Sequence, residues 1–410
     1  MKALLNVFFI CSGFLIFAQK GLDDFLSYSF PSHLTAADHM GKIAWVVNEK
    51  GIRNVYSAKA PAYKALNETQ YSLDDGIEIS QLLFYGSDLI FVRGSAPNRE
   101  GEFPNPYLDV QGTDQAIFLS SNKRVQKLTE GSGPLLRGEV MCFINKGQIY
   151  EYDFTDKLAR QLFTTRGQIG SLRLSPDENK LAFISNRGDH AFLGIYDFND
   201  QSITYPDPTV DIDSDPVWSP ESNQIAVLRR PYDPRLMFIS KLAAQPFSIR
   251  LINIEDGESK TLWQADEGKG SAFYGLSSGQ QLFWMLNNEI IFPWEKEGWL
   301  HLYAVSTKEG KAKLLTPGNF EIQYVSQSPD RSFLLFSSNR GDLNRQHIGQ
   351  WKDSKITQIT KGKGIEWSPV SDGLGNNFAL GSSGLEPAAV KRLEQGKINN
   401  IFSSEDYSSS

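Results

Sequence analysis

Cysteine is nearly missing from this chain. Of its 410 residues only Cys11 and Cys142 are cysteine, and Cys11 lies in an apolar N-terminal run. If that run is removed, Cys142 stands alone and no internal disulfide can form. Its place between Met141 and Phe143 reads as a buried structural thiol. Histidine is also scarce. His33, His39, His190, His301 and His347 show no metal-ligand spacing, so neither a metal nor another cofactor is expected. There is no run rich in lysine and arginine, and the net charge is −7, which argues against a nucleic-acid surface. Convincing helical periodicity is rare, which leaves strands and turns to organise the chain.

Repetition is what the sequence has. "SPDENKLAFISNRGD", from Ser175 to Asp189, returns as "SPDRSFLLFSSNRGD", from Ser328 to Asp342, with ten of fifteen positions identical. Ser-Pro-Asp is turn chemistry: proline presets φ, and serine and aspartate bond nearby backbone N–H groups. The apolar run after it reads as a buried strand. Asn-Arg-Gly-Asp then closes the strand with a second turn, and "HAFLGIYDF" is the return strand. A lone hairpin is not stable, so this unit needs neighbours. Degenerate copies begin near residues 34, 79, 133, 171, 215, 280, 324 and 365. Multi-stranded repeats of about 40–50 residues are the signature of a β-propeller. The expected fold is therefore all-β: a β-propeller of eight blades, with seven possible, each a four-stranded antiparallel sheet. A propeller of this length is one domain.

The first residues read as an address. Lys2 precedes an apolar run from Ala3 to Ala18, and a small residue stands before Gln19. This fits a secretory signal peptide of residues 1–18 and a secreted or periplasmic bacterial protein. The run is shorter than the ~20 residues of a membrane span, so none is expected after cleavage. An extension (19–33), the propeller (34–398) and a disordered tail (399–410) follow. "GLSSG", Gly275 to Gly279, matches a nucleophile elbow in letters only, because strands and no helix are expected after it. The two Arg-Gly-Asp triplets read as hairpin turns of the repeat.

Two segments exceed what a blade needs. "VRGSAPNREGEFPNPYLDVQGTDQAIFL" runs from Val92 to Leu119, and "RRPYDPRLMFISKLAAQPFSI" from Arg229 to Ile249. Both follow a strand, both carry arginine, and long loops often carry function. The stretches "VRGSAPNREGEFPNP", "QPFSIRLINIEDGESKTLWQADEGKGSAF", "IIFPWEKEGWLHLYAV", "LLTPGNFEIQYVSQSPD" and "SSNRGDLNRQHI" resemble a bacterial branch of the prolyl oligopeptidase family, near the dipeptidyl peptidase IV-like enzymes. The resemblance spans about residues 30 to 395. It implies a propeller that filters peptide substrates for an α/β-hydrolase domain carrying Ser, Asp and His. In the dipeptidyl peptidase IV branch a blade-two loop lends an arginine, which maps to Arg99 or Arg93. The candidate substrate-binding residues are Arg93, Arg99, Glu102, Arg229 and Arg230. The Glu pair that grips a substrate amine in that branch is replaced here by "DIDSD", which puts an amine clamp in doubt.

"GLEPAAVKRLEQGKINNIF" resembles the last propeller strands before the hydrolase, yet such a domain would need on the order of 200 further residues. No catalytic residue is assigned, because a Ser-His-Asp site needs all its members in one pocket. The expected role is a substrate-gating half that works with a hydrolase domain in cis or in trans. The alternative is a stand-alone periplasmic propeller, TolB-like, that binds a peptide or protein. A rim uncovered by its partner should be apolar, with Trp294, Trp299 and Phe103 as the expected contributors.

Overall fold

The computed structural model describes residues 28–95, 115–232, 245–268, 270–394 and 397–404. No α-helix occurs among them. Every four-stranded unit is antiparallel and built from consecutive strands. The eight units span residues 30–67, 79–130, 132–163, 168–204, 212–264, 283–314, 322–358 and 365–402. They are numbered here as blades one to eight. The strands begin and end slightly outside the expected limits of 34 and 398. The outermost segments, Phe30–Ala36 and Lys397–Phe402, are edge strands whose mixed polarity hides them from a pattern search.

Blades do not fold alone; they bury their faces against each other. The apolar interior divides into eight clusters, each drawn from two neighbouring blades. The cluster that joins blade one to blade eight closes the ring. Trp45 and Tyr56 of the first blade stack 6.1 Å apart, and Phe402 of the last blade packs on Tyr56 at 5.2 Å. The Tyr63 hydroxyl donates to Asp372, and Asn376 Nδ2 donates to that hydroxyl at 3.0 Å. Among the described residues no strand is exchanged between these two blades, so side-chain packing and side-chain hydrogen bonds make the seam.

The twin segments occupy equivalent places in blades four and seven. In each, the Ser-Pro-Asp turn joins the first strand to the second. Ser175 Oγ accepts from Lys180 N at 2.9 Å, and Ser328 Oγ accepts from Phe333 N at 3.0 Å. Ser219 Oγ does the same for Gln224 N in blade five, at 3.0 Å. The buried rings of Phe183 and Phe336 lie directly opposite Gly194 and Gly349 on the next strand. A Cβ at those glycines would stand 2.3 and 2.6 Å from the ring. Glycine is thus required there by close approach, which the sequence hinted at only as "FLGIYD" and "HIGQWK".

Seven of the eight inner strands carry a bulge at the same place, for example between Ser32 and Thr35 and between Ser214 and Val217. A bulge adds local twist and re-aims side chains, which suits a strand at the ring's axis. Cys142 is fully buried in blade three, and burial pushes its thiol up to about 12. The structural reading of this cysteine stands.

Turn carboxylates give a pH expectation. Lys180 bonds Asp197, and this bond, with help from the Asn199 N–H, holds the carboxyl below its ordinary 3.8. A depressed carboxylate contributes stability that is present above the unfolded value and lost as pH falls through the folded one. Asp197→Asn should therefore lower stability at pH 7 by less than about 1 kcal/mol, since the pair is partly solvated. The difference from wild type should close below pH 3.8. Urea unfolding at pH 7 and pH 3 checks this, and a gap that widens on acidification would refute it.

Candidate functional site

Strand order fixes which loops share a rim. In an antiparallel blade the turn between strands two and three lies on the same side as the connection from strand four to the next blade. Both long segments, 94–115 and 231–247, join strands two and three of their blades, so both leave and re-enter the ring on one rim. The two Arg-Gly-Asp triplets join strands two and three of blades four and seven on that same rim, as turns. The Ser-Pro-Asp turns lie on the opposite one.

Of the candidate binding residues, Arg99 and Glu102 lie outside the described residues. Arg93 ends the second strand of blade two. Its guanidinium pairs with Asp75 and lies 4.3 Å from the Tyr71 ring centroid, and its Nε has no partner among the described residues. Arg229 ends up in a buried network. Its Nε and Nη2 donate to the two oxygens of Asp213 at 2.7 and 3.0 Å. Asp207 bridges it to Arg250, with contacts of 3.1 and 2.9 Å. Burial pushes the Asp213 carboxyl above its ordinary value even with Arg229 bound to it. Burial acts on Asp207 in the same sense, but Arg250 and Arg229 outweigh it and hold that carboxyl low. Arg230, next along the strand, is exposed and faces the charge of Asp215 in the inner bulge. Arg229 and Arg230 thus point to different surroundings, as alternation along a strand demands.

Sequence reasoning missed the acidic partners of Arg229. "DIDSD" was noticed for what it lacks. Yet Asp213 is the direct cross-strand neighbour of Arg229, a pairing that the hairpin register dictates.

"GLSSG" lies in the connection between blades five and six. Ser277 is exposed there, its backbone N–H donating to Gln323 O at 2.8 Å, and no helix follows. Among the described residues no group of His, Cys, Asp and Glu is arranged to hold a metal ion.

The expected aromatic rim needs correction. Trp294 is 4% exposed; it packs on Trp263 and Tyr303, and its Nε1 donates to Gly270 O at 2.7 Å. Trp299 is half-buried, and Phe103 lies outside the described residues. A strand residue next to a loop was mistaken for a loop residue. Large apolar side chains are nevertheless exposed on this rim: Leu73, Val210, Tyr232, Tyr274, Leu343 and Leu385, the last at 97%.

A concave site of about 680 Å³ opens on the same rim where blades six, seven and eight meet. Three loops form it: Pro317–Phe320, Arg340–Asp342 and Thr360–Gly362. At its base His347 is 5% exposed, its Nδ1 held by Glu366 Oε2 at 2.9 Å. Glu366 also accepts from Thr360 Oγ1 at 2.8 Å, and Lys391 Nζ stands 3.8 Å from its other oxygen. His301 takes the matching position in blade six, where its Nε2 meets Gly318 O at 3.0 Å and steadies the first loop.

An all-β ring of four-stranded blades with no strand exchange among the described residues defines the class: a β-propeller. Several of its likenesses among solved structures are to peptidases. Dipeptidyl peptidase 4 of Porphyromonas gingivalis matches with a TM-score of 0.62 and 14% identity, covering 92% of this chain and 60% of that one. A puromycin-hydrolyzing peptidase of Mycobacterium tuberculosis matches with a TM-score of 0.55 and 13% identity, covering 80% of this chain and 54% of that one. The β-propeller domain of the Trilobed protease from Pyrococcus furiosus, described as having an open velcro topology, matches at 0.50 and 15%, with 80% and 98% covered. The chain thus spans little more than half the length of the first two. At such identities the likeness is one of fold. No protein-family model and no curated protein matches the chain.

Proposed function

We propose that this chain is the substrate-gating propeller of a prolyl oligopeptidase-like serine peptidase, non-catalytic in itself and working with an α/β-hydrolase domain in cis or in trans. The observation that carries this reading is the asymmetry of the rims. Both long connections leave the ring on one side, and more of the large exposed apolar side chains lie there than on the other, which carries Met40, Leu158, Leu286 and Leu374; exposed apolar surface marks an interaction face. The fold likeness to peptidases supports the same reading. In it the ring excludes folded proteins by size, and its covered rim presents peptide to a serine held by the other domain. The proposal includes export by the N-terminal segment, whose residues lie outside the described ones.

The test combines labelling with turnover. The chain, secreted from a bacterial host, should begin at Gln19 by mass. Alone, it should take no fluorophosphonate label, because a serine without a base and an oxyanion hole is a weak nucleophile. Mixed with a matching hydrolase domain, it should bind it and leave all label on that domain. It should also slow casein cleavage at least tenfold while sparing a chromogenic dipeptide. Stoichiometric label on Ser277 would overturn the non-catalytic assignment. No association with any hydrolase domain would favour a stand-alone peptide-binding propeller instead.

A further inference from the structure

We infer that the 680 Å³ site between blades six, seven and eight is a carboxylate pocket that takes an acid group of an extended peptide. The inference rests on the reading of this rim as substrate-facing. Charge is the first argument. Arg340 and Lys361 line the site, are exposed, and have no ion-pair or hydrogen-bond partner among the described residues. The acidic residue that lines the site is already matched, Asp342 pairing with Arg345 at 2.9 Å, and at the base Glu366 is met by His347 and Lys391. The uncompensated charge in the cavity is therefore positive, on a chain whose net charge is −7.

Shape and polarity supply the second argument. Gly341 and Gly362 lie on the lips at φ of +85° and +123°, and a Cβ at either would meet nothing within 4 Å. Packing does not demand glycine there; the left-handed backbone does, and it leaves the lips bare for a ligand to approach. His347 is the third element. With Nδ1 committed to Glu366, Nε2 is the ring nitrogen left for a ligand, and it has no partner among the described residues. A guanidinium fork, an ammonium and one ring nitrogen together match a carboxylate and the peptide N–H beside it.

The carboxylate could come from a chain terminus or from an acidic side chain. Three N-acetylated hexapeptides separate these: poly-alanine with a free C-terminus, its C-terminal amide, and the amide carrying one internal glutamate. Binding to the whole chain is read by calorimetry at 50 mM and 300 mM salt. At least one acid-bearing peptide should bind at least tenfold tighter than the plain amide, with affinity falling as salt rises. Arg340→Ala and Lys361→Ala should each weaken that peptide about tenfold, as loss of a charge-assisted bond implies. Arg340→Lys should restore only part, since lysine cannot bind with two parallel donors. Lys157→Ala, on the opposite rim, should change nothing. Both loop variants remove exposed, unpaired side chains, and an unchanged thermal midpoint verifies their folding. Equal binding of acid and amide peptides, or wild-type affinity in both loop variants, would overturn the assignment. Failure of the chain to engage a hydrolase domain would leave acid-selective binding intact and strike only the functional reading.

Discussion

Phe183→Ala and Phe336→Ala should each lower unfolding stability by about 3–5 kcal/mol, the range for removing a fully buried ring. Each ring lies over a glycine of the next strand, at the centre of its blade. The hole cannot be filled from that side, because the strand opposite has no side chain to offer. The reverse change tests the same contact. Gly194→Ala sets a methyl against the Phe183 ring and should cost about 1–3 kcal/mol by overpacking. Combining it with Phe183→Leu should recover part of that loss, since residues in contact do not add independently. Urea midpoints measure all of these. Should Phe183→Ala fall within about 0.5 kcal/mol of wild type, the ring is not the anchor of its blade.

The second large effect concerns Arg229. Its replacement by methionine leaves Asp213, fully buried, without its bidentate partner. Removing one member of a buried pair costs about 3–5 kcal/mol, because an uncompensated charge stays behind. Replacing both, as Arg229→Met with Asp213→Leu, should regain most of the loss, since an apolar pair of similar volume is often neutral. This pattern also separates scaffold from site. A residue that holds blade five together loses stability when changed while the folded protein keeps its peptide affinity. If Arg229→Met instead unfolds like wild type but binds peptide at least tenfold more weakly, Arg229 belongs to the binding surface.

Local chemistry was enough to read the architecture from the sequence. Turn residues, apolar runs of strand length and their recurrence are properties of short segments, and a ring of blades is made by repeating one segment. The twin Ser-Pro-Asp stretches placed blades four and seven correctly, and the eight unit starts lie close to the eight inner strands. The long connections at 92–119 and 229–249 were legible too, as runs with turn residues and no strand pattern. Composition sufficed to exclude a disulfide framework.

Distance in sequence hid the rest. The pair of Asp213 and Arg229 depends on hairpin register, and the bond from His347 to Glu366 joins two different blades. The closure of the ring, Tyr56 against Phe402 and Tyr63 on Asp372, joins the two ends of the chain. Trp294 looked like a loop aromatic and proved to be packed, because burial of a side chain near a turn depends on the neighbouring blade. The sequence determined that this protein is a ring of like blades with two unlike loops. Which charges cancel and which remain free on the rim was decided only by the fold, since pairing is a matter of distance in space.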